Sequence, residues 1–149
     1  MEMQKLLKAT VQFNASDLHV QVGSPPTVRV DGTMVAVNAP PVTAEELRGL
    51  VQQIADEAQV QRLQSERSCD FSYSIPDVAR FRVNVFHEKG NLCLVARCIP
   101  LRIKTVAELA LPAVLEEIAE EQRGLVLVTG TTGSGKSTTL AAMIDHLNR

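Results

Sequence analysis

The spacing of hydrophobic and polar residues at the start of the chain changes from a helical period to a strand period. Apolar side chains recur near helical spacing over residues 2–14, which predicts a helix. Residues 16–22 alternate between apolar and polar side chains, as a half-buried strand does. The Asp31-Gly32 pair stands between two further alternating segments, and a tight hairpin turn needs positive φ at both of its central residues. The opening therefore predicts a helix, a strand and a β-hairpin.

Two helices and three strands are predicted next. Thr43 and Glu46 have the spacing of a capping box, which starts a helix with an apolar stripe, and a second helix is predicted over residues 57–66. Glu88-Lys89-Gly90 predicts a tight turn between the last two strands. The strands are predicted at residues 70–75, 80–87 and 91–99. The pattern indicates a small α+β unit.

The C-terminal part of the chain has a different pattern. Residues 100–105 form a connector with alternating charge, which we interpret as a domain boundary between residues 1–100 and residues 101–149. Helical segments are predicted at residues 106–109 and 112–122, a strand at residues 124–129, and a helix at residues 138–148. The order of strand, loop and helix is the opening of an α/β domain.

Composition narrows the classes of function. The chain of 149 residues is 45% hydrophobic and 21% charged, with a net charge of −2 and no basic run, so nucleic-acid binding is not indicated. Its apolar runs are too short to span a bilayer, and no signal-peptide pattern opens it. The three cysteines lack metal-ligand spacing. These features predict a cytosolic protein without direct membrane insertion.

The strongest motif is G-x-x-x-x-G-K-[ST], matched from Gly130 to Ser137. Glycines permit a bend whose backbone N–H groups point at phosphate oxygens, and the following helix N-terminus attracts anions. Lys136 is predicted to reach the β and γ phosphates of ATP or GTP, and the Ser137 hydroxyl to bind Mg²⁺. The predicted nucleotide-binding residues are Gly130, Thr131, Thr132, Gly133, Ser134, Gly135, Lys136, Ser137 and Thr138.

The alternative is a flexible Gly/Ser/Thr linker that matches by chance. A linker would not need an apolar strand before the loop, an amphipathic helix after it, or a Lys-Ser pair in phase with that helix. The sequence predicts all three, which favours the phosphate site. A hydrolytic site also needs a carboxylate on a later strand, and no such strand occurs in the 12 residues after Ser137. We therefore expect that the chain is cut short and that these 149 residues alone hydrolyse ATP poorly.

Arginines on the predicted strands are further candidates. A two-residue turn at Lys89-Gly90 places Arg82 directly across from Arg97, and like charges in this position are unfavourable without an anion. One interpretation is that Arg82, Arg97 and the nearby Arg80 meet nucleotide phosphates. The other is a solvated pair neutralised by Asp70, Asp77 or Glu88. The same register places Phe81, Val83 and Val85 opposite Cys98, Ala96 and Leu94, which makes one apolar face.

Four segments resemble the PilT-like type IV pilus retraction ATPases of the secretion-ATPase superfamily. They are residues 15–19, residues 25–32, residues 80–86 and residues 123–130. Thr131 occupies a position where the family often has proline, which is a mild departure. The resemblance runs along the whole chain, whereas the family's acidic catalytic segments would lie beyond residue 149.

The resemblance implies a PAS-like N-terminal domain followed by the first strand, P-loop and helix of a RecA-like ATPase domain. It implies homohexameric rings that sit in the cytoplasm at the inner-membrane base of the pilus machine, contact its platform protein and power retraction with ATP and Mg²⁺. It also implies that Arg80, Arg82 and Arg97 act in catalysis, because arginines on these strands approach ATP in the family. Lys136 is the other predicted catalytic residue, through its contact with the phosphates.

Two alternatives stay open. The first is a type II secretion or pilus-assembly ATPase of the same superfamily, whose members usually carry an additional N-terminal domain. No such domain precedes residues 16–19, so we expect a retraction-type member. The second is a non-hydrolytic assembly module in which the phosphate loop is idle.

Overall fold

The computed structural model describes residues 1–131 and 134–149, and these residues fall into two compact units, Met1–Leu101 and Arg102–Arg149. Two residues of the predicted nucleotide site, Thr132 and Gly133, lie outside the described residues. Within the described part of the chain, no helix combines the length and apolar character needed to cross a membrane.

The first unit has a mixed α+β fold, as the sequence predicts. Its antiparallel sheet has six strands in the order β3-β2-β1-β6-β5-β4. The elements are α1 (Met3–Gln12), β1 (Asp17–Gln21), β2 (Thr27–Val30), β3 (Thr33–Ala36), α2 (Ala44–Gln52), α3 (Glu57–Glu66), β4 (Ser68–Ile75), β5 (Ala79–Glu88) and β6 (Asn91–Ile99).

Two tight turns fix the register of the two hairpins. Asp31 and Gly32 have φ of 47° and 82°, and Lys89 and Gly90 have φ of 49° and 83°. Because both central residues of each turn have positive φ, the turn matches the twist of the strands it joins. The predicted pairing of Arg82 with Arg97 is confirmed, as is the pairing of Phe81, Val83 and Val85 with Cys98, Ala96 and Leu94.

The two faces of the sheet differ in chemistry. Side chains alternate between faces along each strand, so one face carries the apolar residues of β1, β5 and β6 and the other carries their polar residues. Helix residues such as Leu7 and Leu47 belong to the same buried cluster as Leu18, Phe81 and Leu94. The helices therefore cover the apolar face, and this burial holds the unit together.

Helix α2 begins with the predicted capping box. The Thr43 hydroxyl accepts a hydrogen bond from the Glu46 N–H at 3.2 Å, and the Glu46 carboxylate accepts one from the Thr43 N–H at 2.8 Å. These bonds satisfy two donors that a helix start otherwise leaves free. They place Leu47, Leu50 and Val51 against the core.

Replacing Thr43 with alanine is expected to lower the free energy of unfolding by about 1 kcal/mol, because the cap is lost. Urea unfolding followed by circular dichroism measures the change. The control is Thr33→Ala on the exposed strand β3, which is expected to change stability by less than about 0.5 kcal/mol. Equal losses in the two variants would show that the capping box contributes nothing.

The second unit contains α4 (Val114–Glu120) and α5 (Lys136–Leu147). The predicted strand at residues 124–129 is wrong for this structure, because these residues form no strand. A strand requires backbone hydrogen bonds to a neighbour, and the described residues provide none here. Leu125 and Leu127 are consequently 83% and 75% exposed.

Helix boundaries in the second unit also differ from the predicted ones. Residues 106–109 form a turn instead of a helix, and Ala110, with φ of 52°, prevents its continuation. Helix α4 is shorter than predicted. Helix α5 begins at Lys136, two residues before the predicted start at residue 138, so that Lys136 and Ser137 lie in its first turn.

Candidate functional site

The glycine-rich loop, which the structure describes at residues 130–131 and 134–135, leads directly into the N-terminus of α5 at Lys136. Gly135 has φ of 90° and occupies the N-cap position, where the structure gives no side-chain hydrogen bond to the helix. Gly130 has φ of 148°, and a Cβ atom there would lie 2.7 Å from the Ser134 Oγ. The backbone angle at residue 130 therefore favours glycine, whereas the Ser134 side chain can rotate away from an added Cβ atom.

Lys136 places a positive charge against this loop. Its Nζ donates to the carbonyl oxygens of Gly130 at 2.9 Å and Thr131 at 2.6 Å. Ser137 and Thr138 follow in the first turn of α5, and both are exposed. Uncapped helix N–H groups and an ammonium group on one loop suit a phosphate anion. The exposed Ser137 hydroxyl provides an oxygen ligand of the kind that Mg²⁺ prefers.

The predicted arginines lie together on the polar face of the sheet in the first unit. Arg82 on β5 and Arg97 on β6 are direct cross-strand partners, and each side chain is 71% exposed. Arg80 lies two residues before Arg82 on β5, and its Nη2 donates to the Ser72 Oγ at 3.1 Å. The arginines belong to the first unit and the glycine-rich loop to the second, and each group is defined within its own unit.

Part of the charge on these arginines is compensated. The Arg82 Nε lies 3.7 Å from the Asp70 Oδ1, and the Asn84 Nδ2 donates to the Asp70 Oδ2 at 2.9 Å. Asp70 is thus one of the neutralising partners that the sequence suggests for Arg82. An ion pair this exposed contributes little free energy, so the Arg82 guanidinium group stays accessible to another anion.

Asp17 on β1 is a further charged residue beside these arginines, as the direct cross-strand partner of Arg97. Its carboxylate is buried and accepts hydrogen bonds from the Arg97 Nε at 2.9 Å and the Ser16 Oγ at 2.8 Å, while the Arg29 Nε lies 3.6 Å away. Burial raises the pKa of Asp17, but the hydrogen bonds from Arg97 and Ser16 and the nearby positive charge together outweigh it, so the pKa lies below its ordinary value. Asp17 is therefore ionised at neutral pH.

A shallow groove of about 160 Å³ joins these groups on the polar face. A larger cavity of about 390 Å³ lies between α2, α3 and the β5–β6 turn, and none of the predicted site residues lines it. The candidate binding groups therefore lie at the groove beside the arginines and at the glycine-rich loop, and not in the larger cavity. The residues around the groove are Asp17, Asp70, Arg82, Asn84, Val95 and Arg97.

The chain belongs to the Type II/IV secretion system protein family, which matches residues 2–149. Within this family it is similar to PilT-like ATPases, as the sequence resemblance predicts. It is 43% identical to the type IV pilus retractation ATPase PilT of Pseudomonas aeruginosa, over 99% of this chain and 43% of that protein. It is 46% identical to a twitching motility protein of Neisseria gonorrhoeae, over 83% of this chain and 33% of that protein.

Solved structures agree with this assignment. A crystal structure of the pilus retraction motor PilT with bound ADP matches all of this chain and 44% of that one, with a TM-score of 0.86 and 37% identity. The ATPase DotB of Legionella pneumophila matches 97% of this chain and 42% of that one, with a TM-score of 0.82 and 31% identity. The chain spans less than half the length of each of these four relatives.

Proposed function

We propose that the chain is the N-terminal part of a hexameric, ATP-hydrolysing motor that powers type IV pilus retraction. In this proposal residues 1–100 form a PAS-like domain and residues 101–149 begin a RecA-like ATPase domain. The observation that carries the proposal is the glycine-rich loop, whose Lys136 ammonium and uncapped helix N-terminus suit a polyphosphate. Similarity to a retraction motor that binds ADP supports the choice of nucleotide.

The cofactors of the proposed motor are ATP and Mg²⁺. Backbone N–H groups of residues 130–138 would hold the β and γ phosphates, and Lys136 would exchange its two carbonyl contacts for phosphate oxygens. Ser137 would hold Mg²⁺, which neutralises charge on the β and γ phosphates during phosphoryl transfer. The residues of this chain thus bind and orient the nucleotide.

Arg82, Arg97 and Arg80 would contact phosphate from the N-terminal domain. Arg82 and Arg97 are largely exposed cross-strand partners on one face, so an anion placed between them would relieve their repulsion. Guanidinium groups in this role stabilise charge that develops on the transferred phosphoryl group. They would therefore affect turnover more than the binding of ATP.

Replacing Arg82 with alanine in the full-length protein is expected to lower turnover at saturating ATP by roughly tenfold or more, with less than about a threefold change in ATP affinity. Phosphate release and nucleotide titration measure the two quantities. The control is Arg48→Ala, which removes an exposed arginine from α2. Unchanged turnover in Arg82→Ala would contradict the catalytic role of this arginine.

In the assembled motor, ATP hydrolysis would move the RecA-like domain against the N-terminal domain of the neighbouring subunit, through rotation about the connector near residues 100–105. The ring would work in the cytoplasm at the inner-membrane base of the pilus machine, against its platform protein. The proposal includes no nucleic acid and no direct membrane insertion.

The test uses the full-length protein that contains this chain. We expect Mg²⁺-dependent ATP hydrolysis, a hexameric mass in sedimentation, and restored twitching in a strain that lacks its retraction ATPase. Restored secretion or pilus assembly without retraction would favour the type II secretion or pilus-assembly alternative. A protein that assembles but neither binds nor hydrolyses ATP would favour the non-hydrolytic module.

A further inference from the structure

Four charged residues lie in one row across the polar face of the sheet. Asp17 on β1 is the direct cross-strand partner of Arg29 on β2 and of Arg97 on β6, and Arg97 is the partner of Arg82 on β5. The order across the sheet is therefore Arg29, Asp17, Arg97, Arg82. Asp17 is the only acidic residue of this row and the only one of the four that is buried.

Asp17 binds one edge of the Arg97 guanidinium and leaves the other edge open. The Arg97 Nε donates to the Asp17 Oδ1 at 2.9 Å, and the described residues supply no hydrogen-bond acceptor to its two terminal nitrogens. Arg29 differs, because its Nη1 donates to the carbonyl oxygen of Gly32 at 3.1 Å. Of these two arginines, Arg97 is the one whose terminal nitrogens can form a bidentate contact with an external anion.

The burial of Asp17 makes it a rigid anchor for an exposed side chain. The Ser16 Oγ donates to the second carboxylate oxygen at 2.8 Å, which fixes the plane of the carboxylate. Arginine loses much rotamer freedom when it is held in one geometry, so an exposed Arg97 without an anchor would sample many conformations. A carboxylate fixed in the middle of the sheet therefore sets the direction of the Arg97 terminal nitrogens before any anion arrives.

We propose that Asp17 is a positioning residue that holds Arg97 through its Nε, so that the terminal nitrogens of Arg97 are preorganised for a phosphoryl group. This inference rests on the proposed function, in which Arg97 contacts nucleotide phosphate. Asp17 touches neither nucleotide nor reacting atoms. Its effect is carried entirely by Arg97, and preorganised donors act most strongly on charge that develops in the transition state.

The first experiment is a double-mutant cycle in the full-length protein with Asp17→Asn, Arg97→Ala and the double variant. Each single variant is expected to lower turnover at saturating ATP by roughly tenfold, with ATP affinity nearly unchanged. The double variant is expected to match Arg97→Ala, because the effect of Asp17 requires Arg97. The control is Arg48→Ala, which removes an exposed arginine from α2, outside this row, and is expected to keep turnover within about twofold.

The second experiment reads the position of Arg97 without activity. In the 149-residue chain, the Arg97 Nε–H signal in ¹⁵N NMR, assigned by its loss in Arg97→Lys, is expected to exchange slowly with water. Asp17→Asn is expected to speed this exchange at least about tenfold, while Arg48→Ala leaves it slow. Where Asp17→Asn does not fold, Asp17→Glu keeps the charge but displaces the carboxylate, and it is expected to lower turnover severalfold.

The outcomes separate the inference from the proposed function. Unchanged turnover in Arg97→Ala overturns the role of Arg97 in the motor, and with it the inference. If turnover falls in Arg97→Ala while a folded Asp17→Asn or Asp17→Glu variant keeps full turnover, only the inference is overturned. A double variant whose loss is the product of the two single losses also overturns it, because Asp17 then acts independently of Arg97.

Discussion

Replacing Lys136 with alanine is expected to weaken the binding of Mg²⁺-ATP to the full-length protein by on the order of 100-fold and to abolish measurable hydrolysis. Hydrogen bonds to charged groups contribute about 1.5–3 kcal/mol each, and about 1.4 kcal/mol corresponds to a tenfold change in affinity. The Lys136 ammonium group already lies against the glycine-rich loop, where it donates hydrogen bonds to two backbone carbonyl oxygens. Titration with a fluorescent ATP analogue measures the affinity.

The control for this prediction is Lys5→Ala. Lys5 lies on α1, is exposed, and forms a surface ion pair with Glu2 at 3.2 Å. This variant removes the same charge and is expected to leave affinity and hydrolysis unchanged. If the two variants bound ATP equally well, the loop would not be the nucleotide site, and the non-hydrolytic module would become the better interpretation.

Replacing Phe81 with alanine is expected to lower the free energy of unfolding by about 3–5 kcal/mol, because it removes a large side chain from a closely packed core. Phe81 is fully buried, and it lies between Tyr73 on β4 and Cys98 on β6 as their cross-strand partner. The loss is a large fraction of the roughly 5–15 kcal/mol that stabilises a typical domain. Urea unfolding followed by circular dichroism measures it.

The matched control is Phe13→Ala. Phe13 is 61% exposed after the end of α1, so its truncation removes the same atoms without leaving a cavity. We expect a change below about 0.5 kcal/mol for this variant. Comparable losses of stability in the two variants would mean that Phe81 does not pack in the core.

Features that depend on neighbouring residues could be predicted from the sequence. The two hairpin registers follow from Asp31-Gly32 and Lys89-Gly90, because positive φ at both central residues restricts how the flanking strands can pair. The cross-strand position of Arg82 and Arg97 follows from the second of these turns. The capping box at Thr43 is local in the same way. Local chemistry therefore sufficed to identify the arginine pair.

Features that depend on contacts between distant segments could not be predicted. Strand β1 lies between β2 and β6, and only this order places Asp17 beside Arg97. No spacing rule gives the order of strands that are far apart in the chain. The predicted strand at residues 124–129 failed for a related reason, since an apolar run indicates a strand only when another strand is present to pair with it.

The exposed apolar segment at residues 125–127 has a consequence for handling the purified chain. It combines apolar side chains with a backbone that has no sheet partner in the described part of the chain. Such a segment is a template on which another molecule can add a strand. Aggregates formed this way grow with concentration and have no fixed size, so their appearance carries no information about ring assembly.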